Sequence, residues 1–346
     1  VIVTGTPGGI GWAREPKLLM RPGRLTPRDQ RRRQMEDNNE AREREPAVHS
    51  LDHYALTVPD LSAAEHFLGA FGLTVVRQDD TLEVLAQDGW VWARYFPGER
   101  KALAYLSFNC FAGDFEGIRR KLLAANVTFA SGAAHATAEG LWFLDADGNL
   151  IQVKIGPKTS PSAKNPLKDI HGPADMRGAA FRDQVGKVRP RRLSHVLLFT
   201  PDVSRAVSFY NDTLGLRLSD RSGDGIAFLH APHGCDHHLL AFAKSSARGW
   251  HHAAWDVASV DEVGQGAGQM AVAGYKEGWG TGRHVLGSNF FHYVRDPWGS
   301  FCEYSADIDY ISAGHAWPAG DYPPEDSLYQ WGPDVPPYFI HNTEAE

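Results

Sequence analysis

The sequence predicts an α+β protein made of two tandem copies of one module, and three observations carry that prediction. Leu51-Asp52-His53, Pro59-Asp60, Phe67 and Gly72-Leu73 are matched by Leu193-Ser194-His195, Pro201-Asp202, Phe209 and Gly215-Leu216 at a nearly constant offset. Each copy reads as an apolar strand, a Pro-Asp helix start, an amphipathic helix and a second strand. Each copy also closes alike, Asp145-Ala146-Asp147-Gly148 before Gln152 and Asp296-Pro297-Trp298-Gly299 before Glu303. Duplication of this kind is best explained by two domains of one fold packed together. The expected organisation is an extension over residues 1–48, a first domain over 49–157, a polar linker over 158–190, a second domain over 191–312 and a tail over 313–346.

The extension opens VIVTGTPGGIGWAREPKLLMRPG and continues into a charge-dense run, LTPRDQRRRQMEDNNEAREREP. Its glycines are followed by no Lys-Ser/Thr and form no GxGxxG, so a nucleotide site is not expected, and the charged run reads as a solvated helix or a disordered linker. TGTPGGIG, the basic-Pro pair and MRPG resemble the C-terminal signature of the fumarylacetoacetate hydrolase family over about 23 residues, without the acidic metal motifs which that family carries upstream. The resemblance implies a fusion remnant or a start inside a neighbouring reading frame, and the lack of an initiating Met fits this.

With 346 residues, 42% hydrophobic and 11% aromatic, the chain can fill two cores. A net charge of −7 argues against nucleic acid as the main partner. The chain has no uninterrupted apolar run of about 18 residues and opens on no secretory signal, so no membrane role and a cytoplasmic location are expected. Three widely spaced cysteines offer neither a disulfide framework nor a CxxC pair.

In the second copy, Asp296-Pro297-Trp298-Gly299 reads as the turn of a β-hairpin, because proline lacks a donor and glycine supplies turn freedom. The strand after it carries Glu303 among apolar residues, and a buried carboxylate needs a partner or a cation. Two further apolar strands offer His195, in LSHVLLF, and one of His251 and His252, in GWHHAAWDV. Alternation places His195 with Leu193, Leu197 and Phe199, and His252 with Trp250 and Ala254. Each histidine taken alone reads as a core residue, but three ligand types on three apolar strands point to a metal. The first copy keeps His53, has Gln152 in the place of Glu303, and carries no histidine in Tyr105-Leu106-Ser107-Phe108-Asn109, so it is expected to be structural. Two imidazoles and a carboxylate suit non-haem Fe(II), and also Zn or Mn.

Gly282, His284, Tyr293, Asp296, Pro297, Gly299 and Glu303 fill the pattern G-x-H-x(8)-Y-x2-D-P-x-G-x3-E. This resembles the signature of the type I extradiol ring-cleaving dioxygenases of the vicinal oxygen chelate superfamily, over residues 50 to about 312, departing at His292 where an apolar residue is usual. The resemblance implies tandem domains of paired βαβββ modules forming curved, incomplete barrels. It implies Fe(II), with Mn(II) as the alternative, held by His195, His252 and Glu303; WHHAAW fits the family strand at its second histidine, and His251 is expected to point the other way. His238, in HLLAF, matches the family's acid/base residue although Leu239 replaces the usual Asp, with His237 as the fallback. His284 and Tyr293 match the remaining pocket residues, expected to hydrogen-bond substrate oxygens. His230, His233 and His292 are expected to be structural.

The implied activity is insertion of both atoms of O2 into a catechol beside its hydroxyls, in aromatic catabolism, by a homo-oligomer. The rivals are a glyoxalase-like isomerase or a non-catalytic binder of the same fold, and, from another class, a metal-dependent hydrolase of diketo acids. The one-sided loss of ligands and the His238, His284 and Tyr293 set argue against the first two. Deleting residues 1–48 separates the third, since a ring-cleaving enzyme would survive it.

Overall fold

The repeated Pro-Asp and Gly-Leu pairs prove to be helix caps. In a computed structural model that describes residues 45–130, 132–168 and 172–345, Asp60 and Asp202 accept from backbone amides at the start of α1 (Leu61–Phe71) and its counterpart Val203–Leu214. Gly72 and Gly215 then end these helices at φ of 105° and 70°, where a side chain would be strained. A Cβ at Gly215 would also stand 2.8 Å from the Pro46 carbonyl oxygen, so glycine is required there twice over. The readings made of residues 1–44 lie outside the described residues.

The first module contains β1 (Val48–Val58), α1, β2 (Thr74–Gln78), β3 (Thr81–Leu85), β4 (Val91–Pro97), β5 (Ala102–Cys110), α2 (Ala112–Ala124), β6 (Leu141–Leu144) and β7 (Leu150–Ile155). They form a seven-stranded sheet ordered β2-β3-β4-β1-β5-β7-β6. The second repeats the plan with β8 (Arg192–Thr200), α3 (Val203–Leu214), β9 (Arg217–Ser222), β10 (Ile226–His230), β11 (Cys235–Asp236), β12 (Leu240–Lys244), β13 (Gly249–Asp256), α4 (Val260–Val272), β14 (Gly278–His284), β15 (Phe290–Arg295) and β16 (Phe301–Ala306). After them come β17 (Tyr310–Ile311), β18 (Gly320–Asp321) and β19 (Tyr329–Trp331). Its large sheet runs β18-β9-β10-β12-β8-β13-β16-β15-β14-β19. Both sheets are open, with helices against one face, as expected of the α+β class.

The residues from 45 onward form one compact unit, and a single apolar cluster draws on both modules. Phe71 of α1 stacks on Tyr304 of β16 at 3.8 Å, and the Tyr304 hydroxyl donates to the Phe71 carbonyl; such an aromatic pair is worth about 0.5–1.5 kcal/mol beyond its burial. Buried Lys101 of the first module is bonded to Ser300 Oγ, the Trp250 carbonyl and Glu344. The segment after residue 312 is built into the second module: β18 pairs with β9, β19 pairs with β14, and Phe339 packs on Trp279, Tyr293 and Phe301.

Candidate metal centre and its cavity

Three adjacent central strands, β8, β13 and β16, carry His195, His252 and Glu303. In register, Ala254 lies opposite both His195 and Glu303, while His252 stands two residues along on β13. The methyl of Ala254 leaves the space between its neighbours open. Glu303 Oε2 lies 3.4 Å from His195 Nε2 and 3.5 Å from His252 Nε2. Each of the three offers a donor atom within 4.8 Å of the others, and all three residues are buried.

Two of these atoms, His252 Nε2 and Glu303 Oε2, have no hydrogen-bond partner although they are buried. Native structures rarely leave such groups unmet, and each costs on the order of 1–3 kcal/mol. Their neighbours are arranged to keep them free. Asn289, itself buried, donates Nδ2 to Glu303 Oε1 at 2.9 Å, which turns the other carboxylate oxygen toward the imidazoles. Ser194 Oγ donates to the Asp236 carboxylate and so accepts from His195 Nδ1, leaving the His195 Nε2 lone pair facing inward. Burial, with lesser contributions from neighbouring imidazoles, pushes His252 well below the usual histidine range, and a neutral imidazole is the ligating form. A divalent cation fits this donor set.

Bulges decide which side chains face the centre. Pairing of β13 with β8 passes from Trp250 opposite Leu198 directly to His252 opposite Leu197, so His251 is the extra residue of a bulge. His251 therefore does not point away, as strict alternation required. It lines the same cavity as His252, with its Nδ1 2.6 Å from His252 Nδ1 and its Nε2 2.7 Å from the Phe339 carbonyl oxygen. Trp250 and Leu193, placed by alternation with the ligands, go instead to the main core, Leu193 because a second bulge falls at Ser194.

His238 lines the cavity beside His195, ring centres 4.0 Å apart. His237 is fully buried behind it, 3.1 Å away through the Nδ1 atoms, and bonded to Asp220 at 2.7 Å. Asp220 thus stands behind the histidine pair in a protein that has Leu239 after His238. Burial, then the surrounding imidazoles, hold His238 well below the usual range. His284 Nε2 is 2.9 Å from the Tyr293 hydroxyl and its Nδ1 reaches the Leu328 carbonyl. Burial lowers His284 and, with the Glu303 carboxylate, raises Tyr293 well above the usual phenol range. His292, the departure from the pattern, is pushed to about 4 by burial.

All six candidates except Glu303 border one cavity of about 760 Å³, a size suited to a small ligand. Its walls are apolar, with Leu197, Phe199, Phe228, Leu286, Trp279 and Phe339. Lys244 stands at the mouth, paired with Asp224 at 2.7 Å. Residues 321–324, 327–328 and 339–340 close one side. Sequence reasoning missed this contribution of the tail, and also Asn289, Asp220 and Ser194; only the SNF run before the Tyr293 strand and the Ser194-His195 pair hinted at two of them.

The matching positions of the first module are closed internally. His53 is bonded to Asp52 and to the Tyr105 hydroxyl, and Tyr105 occupies the register position of His252. Gln152 accepts from Ser107 and donates to the Glu139 carbonyl. Among the described residues, the only cluster able to hold a metal is the His195, His252 and Glu303 set.

The sequence profile of the Glyoxalase/Bleomycin resistance protein/Dioxygenase superfamily matches residues 50–153 and 192–304. The chain is 70% identical over 299 residues to metapyrocatechase 2 of Cupriavidus necator, covering 86% of this chain and 93% of that protein. It is 28% identical over 280 residues to an iron-dependent extradiol dioxygenase of Rhodococcus jostii (strain RHA1), covering 75% and 90%. A solved structure, the Mn(II)-bound glyoxalase from Novosphingobium aromaticivorans, matches with a TM-score of 0.65 and 26% identity over 87% of this chain and 99% of that one. The chain therefore belongs to this superfamily. Within it, it is an extradiol ring-cleaving dioxygenase.

Proposed function

We propose that the second module cleaves a catechol-type ring beside its hydroxyls, using Fe(II) held by His195, His252 and Glu303. The observation that carries this reading is the pair of buried, partnerless ligand atoms, His252 Nε2 and Glu303 Oε2, beneath an apolar cavity. When bound, the metal supplies positive charge that favours the deprotonated catechol and a meeting point for catechol and O2. The iron-dependent and manganese-dependent relatives and the Mn(II)-bound structure support a divalent ion; two imidazoles and one carboxylate suit either metal, and Fe(II) is proposed on the iron-dependent relative, which matches over 75% of this chain.

The roles of the protein groups follow from their bonding. Asp220 can only accept, so His237 carries its proton on Nε2 and turns the Nδ1 lone pair to His238. His238 then holds its proton on Nδ1 and offers the Nε2 lone pair, where it can take a proton from a catechol hydroxyl and hold it for return to an oxygen of the ring-opened product. The Leu328 carbonyl likewise places the His284 proton on Nδ1, so His284 Nε2 accepts from Tyr293. The Tyr293 hydroxyl donates either to that nitrogen or to a substrate oxygen on which charge develops. The apolar walls, with Leu197, Phe199, Phe228, Leu286, Trp279 and Phe339, suit an aromatic ring and disfavour water in the cavity.

The first module supports the fold and holds no metal in this reading. The enzyme is proposed to work in the cytoplasm as a homo-oligomer on free catechol and O2, in aromatic compound breakdown. Among the described residues no helix is long and apolar enough to cross a membrane. The test is anaerobic loading with Fe(II) or Mn(II), then a panel of catechols in air, following O2 uptake and the yellow absorbance of a ring-opened product. One O2 consumed per ring with Fe(II) bound supports the proposal. Bound iron with no product from any catechol would leave the isomerase or the binder.

A further inference from the structure

The His251 bulge joins a metal-facing residue to the C-terminal segment through two short hydrogen bonds, and their chemistry runs in one direction only. The Phe339 carbonyl oxygen, 2.7 Å from His251 Nε2, has no proton to give, so that nitrogen is the N–H donor. A neutral His251 then has a lone pair on Nδ1. The atom facing it at 2.6 Å is His252 Nδ1, and one proton must lie between the two nitrogens, so His252 carries it. A neutral His252 protonated on Nδ1 has its lone pair on Nε2, the buried nitrogen beside Glu303 that meets no partner. Both imidazoles are almost completely buried, so water does not compete for these positions.

We propose that His251 is a positioning residue: through it the carbonyl of Phe339 selects the tautomer of His252 whose Nε2 lone pair faces the metal position. The inference rests on the metal-site reading above. It adds that the turn Pro337–Ile340, whose Phe339 lies 88 residues downstream of His251 in the chain, is part of the metal centre's support. The bulge at His251 brings its ring to the cavity that His252 also lines, where regular alternation would put the two on opposite faces.

The experiment uses the full chain and Zn(II) as a diamagnetic probe. Imidazole 15N resonances of the metal-free and Zn(II)-loaded protein report each tautomer; the expected pattern is His252 protonated on Nδ1 and His251 on Nε2 in both. In His251→Phe, which keeps a ring but no acceptor, the Zn(II) dissociation constant rises about 10- to 100-fold, the range for losing a residue that orients a ligand. In His251→Asn, whose side-chain oxygen can take the place of Nδ1, it stays within about threefold of the parent. Reversed tautomers overturn the inference, as does unchanged affinity in both variants or equal loss in both. Should His251→Phe not fold, the tautomers of the unaltered protein still decide. Absence of Zn(II) binding by the unaltered protein would remove the metal-site reading itself, whereas binding with the wrong tautomers removes only the role of His251.

Discussion

Replacing Glu303 by Gln tests the centre most directly, because shape is kept while charge and one acceptor are lost. Asn289 holds Oε1, so the new amide nitrogen takes the Oε2 position, 3.4 Å and 3.5 Å from the His195 and His252 Nε2 atoms. There it can donate to an imidazole lone pair. The metal-free variant thus relieves a buried carboxylate oxygen and gives a partnerless nitrogen a bond, a gain of about 1–3 kcal/mol. With metal the sign reverses: an N–H now points where a cation must sit, and the loss of affinity exceeds the about 10- to 100-fold typical of a merely supporting residue. For the parent, metal at 100 times its dissociation constant stabilises the fold by about 2.7 kcal/mol, or about 5 °C in Tm for a unit of this size. The assay is thermal unfolding with and without Fe(II) under argon. Glu303→Gln is expected to unfold at or above the temperature of the metal-free parent and to show no metal-dependent rise. A retained rise, or a metal-free variant less stable than the metal-free parent by more than about 1 kcal/mol, would refute the reasoning.

His238→Phe should keep metal and catechol binding while lowering kcat by about 10²- to 10⁴-fold, the range for a lost acid/base; unchanged turnover removes His238 from the role. Gln152→Ala should cost about 1–2 kcal/mol through its bonds to Ser107 and Glu139 and leave metal content by elemental analysis untouched; iron lost in step with this change would place a second site in the first module. His230 and His292 are held to about 4 by burial, below the unfolded value near 6.5, so the stability they contribute is complete above about pH 6.5 and falls as pH drops toward 4. Urea midpoints at pH 7.5, 6 and 5 should decline in that order for the metal-free protein, and a flat series contradicts this. Because Lys244 at the cavity mouth is already paired with Asp224, kcat/KM should be at least about tenfold higher for alkylcatechols than for carboxylated ones; equal values would show that the Lys244 pair opens for an anion.

What the sequence determined by itself is local or repeated: the two Pro-Asp…Gly-Leu units are helix caps, and caps depend on a few neighbouring residues. The hairpin before Glu303 was readable for the same reason, since Asp296-Pro297-Trp298-Gly299 is a turn by its own chemistry. Three ligand types on three apolar strands were also visible, and so was the change from Glu303 to Gln152 between the copies, because both need only residue identity and alternation. Facing was not readable at the bulges. Alternation sent His251 away and kept Trp250 and Leu193 beside the ligands, whereas pairing with the neighbouring strand slips by one residue at His251 and again at Ser194. A slip of this kind depends on two strands at once, and no single strand records it. The same holds for Asn289 on Glu303, Asp220 behind His237, and the tail that brings Leu328 to His284 and Phe339 to His251. Each of these contacts joins residues 14 to 88 positions apart, and only the folded chain brings them within reach of one another.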